Sequence, residues 1–452
     1  MMSRDQLHDE TPLRGFDDLT AFFARGSKGA ARLGVGTEHE KFGFDRATLS
    51  PLRFDGAQGI EALLRQLSER YGWGPIYDGE ALIALEKNGA AITLEPGGQL
   101  ELSGRIVSRI EETEAELRSH LAEVAELGGR LGQRWTLFGM HPWHDTADVG
   151  WVPKSRYGVM RDYMGKQGRL AHWMMKMTCT VQANFDYRTE DDAMEMLRLS
   201  CTLNPLVTAL FACSPYKLGA ATHDVSSRMA VWQETDPRRC GTPPALLSPE
   251  ARFGDYAEWL LDVPMLFVRR EGRYIDWTGR SFRRHLAGEY ELSPTLGDWE
   301  LHLSTAFPDV RMKSYIETRT ADCAPLPWLL ALPALWKGLF YAQNARRSAF
   351  ALLPDATPES VAELARIART EGLSGTFRGQ SLRDLATNLV AIAADGLDEQ
   401  TDHRPSEARY LAPLLGPGGE AYAPAERLEA IWRATDGDRE AVTEAFSIDR
   451  WL

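Results

Sequence analysis

Val35-Gly36-Thr37-Glu38-His39-Glu40-Lys41-Phe42-Gly43-Phe44 is the stretch on which the reading of this chain turns. Extended, it puts Glu38 and Glu40 on one face, because alternate residues of a strand share a side. Two carboxylates on one face repel each other. A divalent cation between them removes the repulsion, and hard oxygen ligands of this kind suit Mg²⁺. A solvent-facing strand with exposed glutamates is the competing reading of this segment taken alone.

Three further segments repeat the pattern. Ala91 to Glu95 and Gln99 to Ser103 alternate on either side of Pro96-Gly97-Gly98, a strong turn signal, and predict a hairpin. Glu95 falls just before the turn and Glu101 just after it, with Leu94, Leu100 and Leu102 on the opposite face; a surface hairpin with exposed acids is the alternative. From Thr178 to Asp186, the residues Thr178, Thr180, Gln182, Asn184 and Asp186 alternate with Cys179, Val181, Ala183 and Phe185. This predicts a half-buried strand whose polar face offers neutral hydrogen-bonding groups to a small polar substrate. A solvent-facing sheet surface would carry Lys and Glu more than Gln and Asn. From Ser314 to Thr320, Tyr315, Glu317 and Arg319 share a face. They read either as a local ion pair or as a metal-ligating Glu beside an Arg that meets phosphate oxygens. Taken together, Glu38, Glu40, Glu95, Glu101, Gln182 and Glu317 on convergent faces predict a concave sheet that holds more than one Mg²⁺.

The rest of the chain sets the frame. Its 452 residues are 44% hydrophobic and 25% charged, enough apolar material for a large core. A net charge of −13 repels a polyanion at long range, so no nucleic-acid partner is expected; ATP, also anionic, would need metal or Lys/Arg to screen its phosphates. Met1 to Gln6 lacks the apolar stretch of a leader and no segment approaches a membrane span, which predicts a cytoplasmic protein with no membrane partner. Five widely spaced cysteines without a CxxC pair predict free, mostly structural thiols. Apolar spacing predicts one helix from Arg105 to Leu131 and another that starts at an N-cap Thr189, is kinked by Pro205 and stops near Ser214-Pro215. Helical spacing dominates from about Pro325, with helix starts at Thr357 and Ser381. The organisation expected is a catalytic region over 1–330 and a helical C-terminal region over 331–452 packed on the same domain.

The acidic segments resemble the glutamate–cysteine ligases of the plant and proteobacterial type. The resemblance rests on Gly36-Thr37-Glu38-His39-Glu40-Lys41-Phe42-Gly43-Phe44, Glu95-Pro96-Gly97-Gly98-Gln99-Leu100-Glu101-Leu102-Ser103-Gly104 and Thr178 to Asn184. It continues through Asn204 to Ala212, Leu261-Asp262-Val263-Pro264-Met265, Tyr274-Ile275-Asp276 and Tyr315-Ile316-Glu317-Thr318-Arg319. It implies an α+β, glutamine-synthetase-like fold, a curved antiparallel sheet forming a funnel backed by helices. It implies ATP-dependent joining of the glutamate γ-carboxylate to the cysteine α-amine through a γ-glutamyl phosphate, in a monomer or homodimer. The implied metal ligands are Glu38, Glu40, Glu95, Glu101, Gln182 and Glu317; Glu95, Glu317 and Arg319 are the implied catalytic groups, and Glu40 and Arg319 the implied contacts to ATP.

Ser227 to Asp236 resembles the family's glutamate-recognising stretch, with Arg228 for the α-carboxylate and Trp232 as a wall. Thr180 and Gln182 are expected on the substrate side. Pro153-Lys154-Ser155-Arg156-Tyr157 reads as a basic, aromatic loop whose Lys154, Arg156 and Tyr157 meet anionic substrate groups, or as a solvated loop. The redox-sensitive cysteine pairs of the plant members align with Trp277, Leu292 and Leu330, which form no disulfide, so no plant-type thiol switch is expected. Two other functions stay open at this point: an ATP-dependent ligase with another amine acceptor, and a non-catalytic metal- or nucleotide-binding protein.

Overall fold

The computed structural model describes residues 9–29, 33–400 and 406–452. Met1 to Gln6, on which the absence of a leader was read, lie outside them. Nine strands form the main sheet: β1 (Val35–Asp45), β2 (Gly74–Asp78), β3 (Ala81–Lys87), β4 (Ala90–Leu94), β5 (Leu100–Ser103), β6 (Gln133–Thr136), β7 (Val181–Phe185), β8 (Val310–Met312) and β9 (Ile316–Thr318). Their order is β8-β9-β7-β1-β5-β4-β3-β2, with β6 paired to the far end of β1. Every pairing in this sheet is antiparallel. β1 is central: it pairs β7 through Val35 to His39, β5 through Glu38 to Lys41 and β6 through Phe42 to Asp45.

One face of the sheet is covered by helices. Ile110–Arg130 packs on β1 and β6, and Leu326–Tyr341 packs on β1 and β7, where Phe340 meets Phe185 edge to face at 5.0 Å. His39 and Lys41 of β1 point into this covered side. Lys41 is fully buried and donates to the carbonyls of His39 and Leu100 and to His120 of the first helix; burial lowers its ammonium to about 8. A continuous apolar cluster runs from Leu13 to Ile448. This is the α+β arrangement expected, an antiparallel sheet backed by helices, and among the described residues no helix is long and apolar enough to cross a membrane.

The predicted helix starts hold where a side chain caps them. The Thr189 hydroxyl accepts from Asp192 N–H (3.2 Å), and the helix Glu190–Leu210 continues through Pro205. Thr357 and Ser381 cap Pro358–Glu371 and Leu382–Glu399 in the same way. Two expectations give way. The helix predicted from Arg105 begins at Ile110, because Val107 exchanges both backbone hydrogen bonds with Val35 and keeps 105–107 extended beside β1. The stretch expected as a loop after Pro153 forms the helix Ser155–Met164, whose first turn holds Arg156 and Tyr157. All five cysteines are free.

Candidate active site

The turn between β4 and β5 shows how local sequence aims the acids. Gly98 has φ +87°, a left-handed conformation that a side chain resists, and a Cβ at Gly97 would lie 2.6 Å from the carbonyl oxygen of Lys176. The Pro-Gly-Gly turn therefore seats against the segment leading to β7. Glu95 and Glu101 thereby face the same side as Glu38 and Glu40.

Cross-strand register stacks the polar residues in rows. Glu40 lies opposite Glu101, which lies opposite Thr93. Glu38 lies between Ser103 and Gln182. Glu317 lies between Asn184 and Arg311. These rows form a wall of a cavity of about 330 Å³, into which Glu38, Glu40, Glu95, Glu101, Thr180, Gln182, Arg228 and Arg319 all project. Lys154, Arg156, Tyr157 and Trp232 line the same cavity. Glu317 has no exposed surface and sits beneath it.

The acids divide into two electrostatic groups. Glu38, Glu40 and Glu101 lack an ion-pair partner of opposite charge strong enough to offset their burial. Burial first, then Glu317 and Glu101, raises the Glu38 carboxyl to about 7. Burial, then Glu95 and Glu101, pushes Glu40 well above the usual carboxylate range, and burial with Glu95 raises Glu101. Directly opposed like charges destabilise a strand pair, so the Glu40–Glu101 row is a site of stored repulsion. What hydrogen bonds they have come from neutral donors: Gln182 and Asn184 amides to Glu38 (3.1 and 3.0 Å), Thr180 N–H to Glu40 (2.9 Å) and the Ser103 hydroxyl to Glu101 (2.5 Å).

Glu317 is the opposite case. Burial would raise its carboxyl, but Arg311, Lys313 and Arg319 outweigh it and hold the carboxyl well below the usual range. Arg311 grips it through two nitrogens (2.7 and 3.0 Å from Nη2, 3.1 Å from Nε), Lys313 approaches to 3.3 Å and Arg319 bonds Oε1. Arg319 also donates to the Gln182 amide oxygen (2.7 Å), which places its guanidinium between Glu317 and the Glu38 row.

The remaining predicted contacts have structural partners as well. Lys154 Nζ and the Tyr157 hydroxyl both donate to the Leu94 carbonyl (2.9 and 2.7 Å), clamping the strand just ahead of Glu95. Arg228 is buried; its two Nη atoms donate to the carbonyls of Thr320 and Arg319 (3.2 and 3.0 Å), while Nε has no hydrogen-bond partner. Burial lowers its pKa from the usual arginine value.

Residues given no site role from the sequence complete the cavity: Arg311 and Lys313 beside Glu317, and Phe267, Arg269 and Tyr274 on a separate hairpin. Arg311 had a signal, since Arg311 and Lys313 alternate with Val310 and Met312, but the strand is only three residues long.

For a divalent cation, Glu38, Glu40, Glu95 and Glu101 fit by chemistry, as buried or half-buried oxygen donors whose mutual repulsion a cation would relieve. Among the described residues, no three His, Cys, Asp or Glu side chains are drawn together as a finished metal nest.

Residues 34–444 match the model of glutamate-cysteine ligase family 2. The chain is 40% identical over 388 residues to the chloroplastic glutamate–cysteine ligase of Brassica juncea, covering 85% of this chain and 75% of that one. It is 39% identical over 425 residues to the chloroplastic glutamate–cysteine ligase of Arabidopsis thaliana, covering 93% and 80%. Its fold matches a crystal structure of glutamate–cysteine ligase from Francisella tularensis in complex with AMP, with a TM-score of 0.57 and 13% identity, covering 98% of this chain and 90% of that one. The cytoplasmic location expected from the sequence is corrected here, because the relatives matched at this identity are named chloroplastic. With the family model spanning both the acidic strands and the helical C-terminal part, the chain belongs to glutamate-cysteine ligase family 2.

Proposed function

We propose that the chain joins the γ-carboxylate of L-glutamate to the α-amine of L-cysteine, using ATP and Mg²⁺. The observation that carries this reading is the placement of a surplus of carboxylates and a set of guanidinium groups on one cavity wall. A cavity with only acids would hold cations without handling substrate anions; one with only bases would repel the metal.

Glu38, Glu40, Glu95 and Glu101 would hold magnesium, which when bound screens the phosphates of ATP and polarises the γ-phosphoryl group. Glutamate is oriented by Arg228 and Arg156 at its α-carboxylate, with Trp232 as a wall, so that a γ-carboxylate oxygen attacks the γ-phosphorus and ADP leaves. Arg319, fixed by Glu317 and Gln182, faces the charge that builds on the transferring phosphoryl oxygens. The cysteine amine then attacks the acyl carbon and phosphate departs with one former carboxylate oxygen. Glu317 acts by holding Arg311, Lys313 and Arg319 in place, and Gln182 by bridging Arg319 to Glu38. Lys154 and Tyr157 act through the Leu94 carbonyl, keeping Glu95 in line.

ADP release by the purified chain should require glutamate, cysteine, ATP and Mg²⁺ together, each omission reducing it to background. Full release with a different amine and none with cysteine would reject the acceptor.

A further inference from the structure

We propose that Arg269 holds the α-carboxylate of the acceptor amino acid, an assignment that rests on the reaction proposed above. Arg269 lies on the hairpin Phe267–Arg270/Arg273–Asp276, where it pairs with Tyr274; Phe267, on the same face, meets the Tyr274 ring at 5.0 Å. All three line the cavity. The hairpin packs on the helix Ser155–Met164, which carries Arg156, and on the helix Leu296–Ser304.

Most cations of the cavity wall are held by protein groups. Arg311, Lys313 and Arg319 serve Glu317; Lys154 and Arg228 serve backbone carbonyls. Arg269 differs. Among the described residues its guanidinium has the Tyr274 ring at 5.7 Å and no carboxylate partner, and its Nε is buried without a hydrogen-bond partner. The nearby Asp298 is committed to Arg270 and His285. A buried donor left unmatched in a cavity is costly unless a ligand supplies the acceptor.

The reaction brings two α-carboxylates into the cavity, and Arg228 accounts for that of glutamate. An arginine over the Tyr274 ring, with Phe267 on the same face of the hairpin, suits a planar carboxylate next to a small side chain.

The test compares cysteine with cysteamine, which keeps the amine and thiol and lacks the carboxylate. In Arg269→Gln the preference for cysteine over cysteamine, as a ratio of kcat/KM, should fall about 10- to 100-fold, the loss of one charge-assisted contact. The fall should come from cysteine alone, with the KM for glutamate and ATP unchanged. Arg269→Lys should recover part of the preference. An equal loss with both acceptors, or an unchanged preference, would overturn the assignment. A raised KM for ATP with the preference intact would also overturn it and make Arg269 a phosphate contact. If the wild type released no ADP with glutamate and cysteine, the proposed reaction itself would fail and this assignment with it; normal wild-type turnover with an unchanged ratio removes Arg269 alone.

Discussion

Glu317→Gln is expected to cost about 3–5 kcal/mol of stability, the penalty for removing one partner of a buried ion pair, whereas Glu40→Gln is expected to stabilise the divalent-free protein. The resemblance gives both residues the same role, yet their surroundings differ in sign. Glu317 neutralises three cations around it, and the glutamine would leave Arg311, Lys313 and Arg319 facing one another. Glu40 faces Glu101 across the strand pair and carries a raised pKa from burial and from neighbouring acids, so neutralising it removes repulsion.

The same asymmetry fixes the pH dependence. Glu38, raised by burial to about 7 from an ordinary value of 4.5, binds a proton in the folded state that the unfolded chain has released between these limits. Its penalty is absent below the lower limit and complete above the upper one, and each unit of displacement is worth about 1.4 kcal/mol. Glu40 and Glu101 act in the same direction. Thermal melts in chelator should show this contribution to stability falling as pH rises from the lower limit to the upper, and Mg²⁺ should restore more at the alkaline end. A destabilised Glu40→Gln protein, or a Glu317→Gln protein as stable as wild type, would show that the division of the acids is wrong. In either variant ADP release should be lost.

Arg319→Ala should lower kcat about 10²- to 10³-fold, the usual effect of removing one preorganised donor at a developing negative charge. The side chain is held by Gln182 and Glu317 and by the rings of Trp232 and Phe307, with its guanidinium carbon 5.7 and 6.0 Å from their centres. Because this geometry precedes substrate, the loss should fall on kcat more than on the KM for glutamate. Glu317 keeps Arg311 and Lys313, so the fold should survive, as circular dichroism would show. Arg319→Lys should recover only part of the rate, since an ammonium cannot reproduce the planar fork. A kcat within about threefold of wild type would remove Arg319 from the chemistry.

The acidic strands were legible because alternation assigns faces without any knowledge of long-range contacts. Glu38, Glu40, Glu95 and Glu101 needed only an extended backbone and a Gly-Gly turn. The partners of Glu317 were not legible as such: Arg311 is six residues away, and its role depends on an antiparallel pairing between two three-residue strands. Arg269 was hidden by Arg270, since two consecutive arginines point to opposite faces and nothing local says which one meets the cavity. The helix at Ser155 was missed because Pro153-Lys154 reads as a turn, while a tertiary contact, the Lys154–Leu94 hydrogen bond, sets the entry into the helix.

The most direct measurement follows the oxygen. Glutamate carrying ¹⁸O in both γ-carboxylate positions would be turned over by the purified chain with ATP, Mg²⁺ and cysteine, and the inorganic phosphate analysed by mass spectrometry. Each phosphate should carry one heavy oxygen, matched by an equal amount of γ-glutamylcysteine. Unlabelled phosphate, or phosphate formed without the dipeptide, would contradict ligation through a γ-glutamyl phosphate at this cavity.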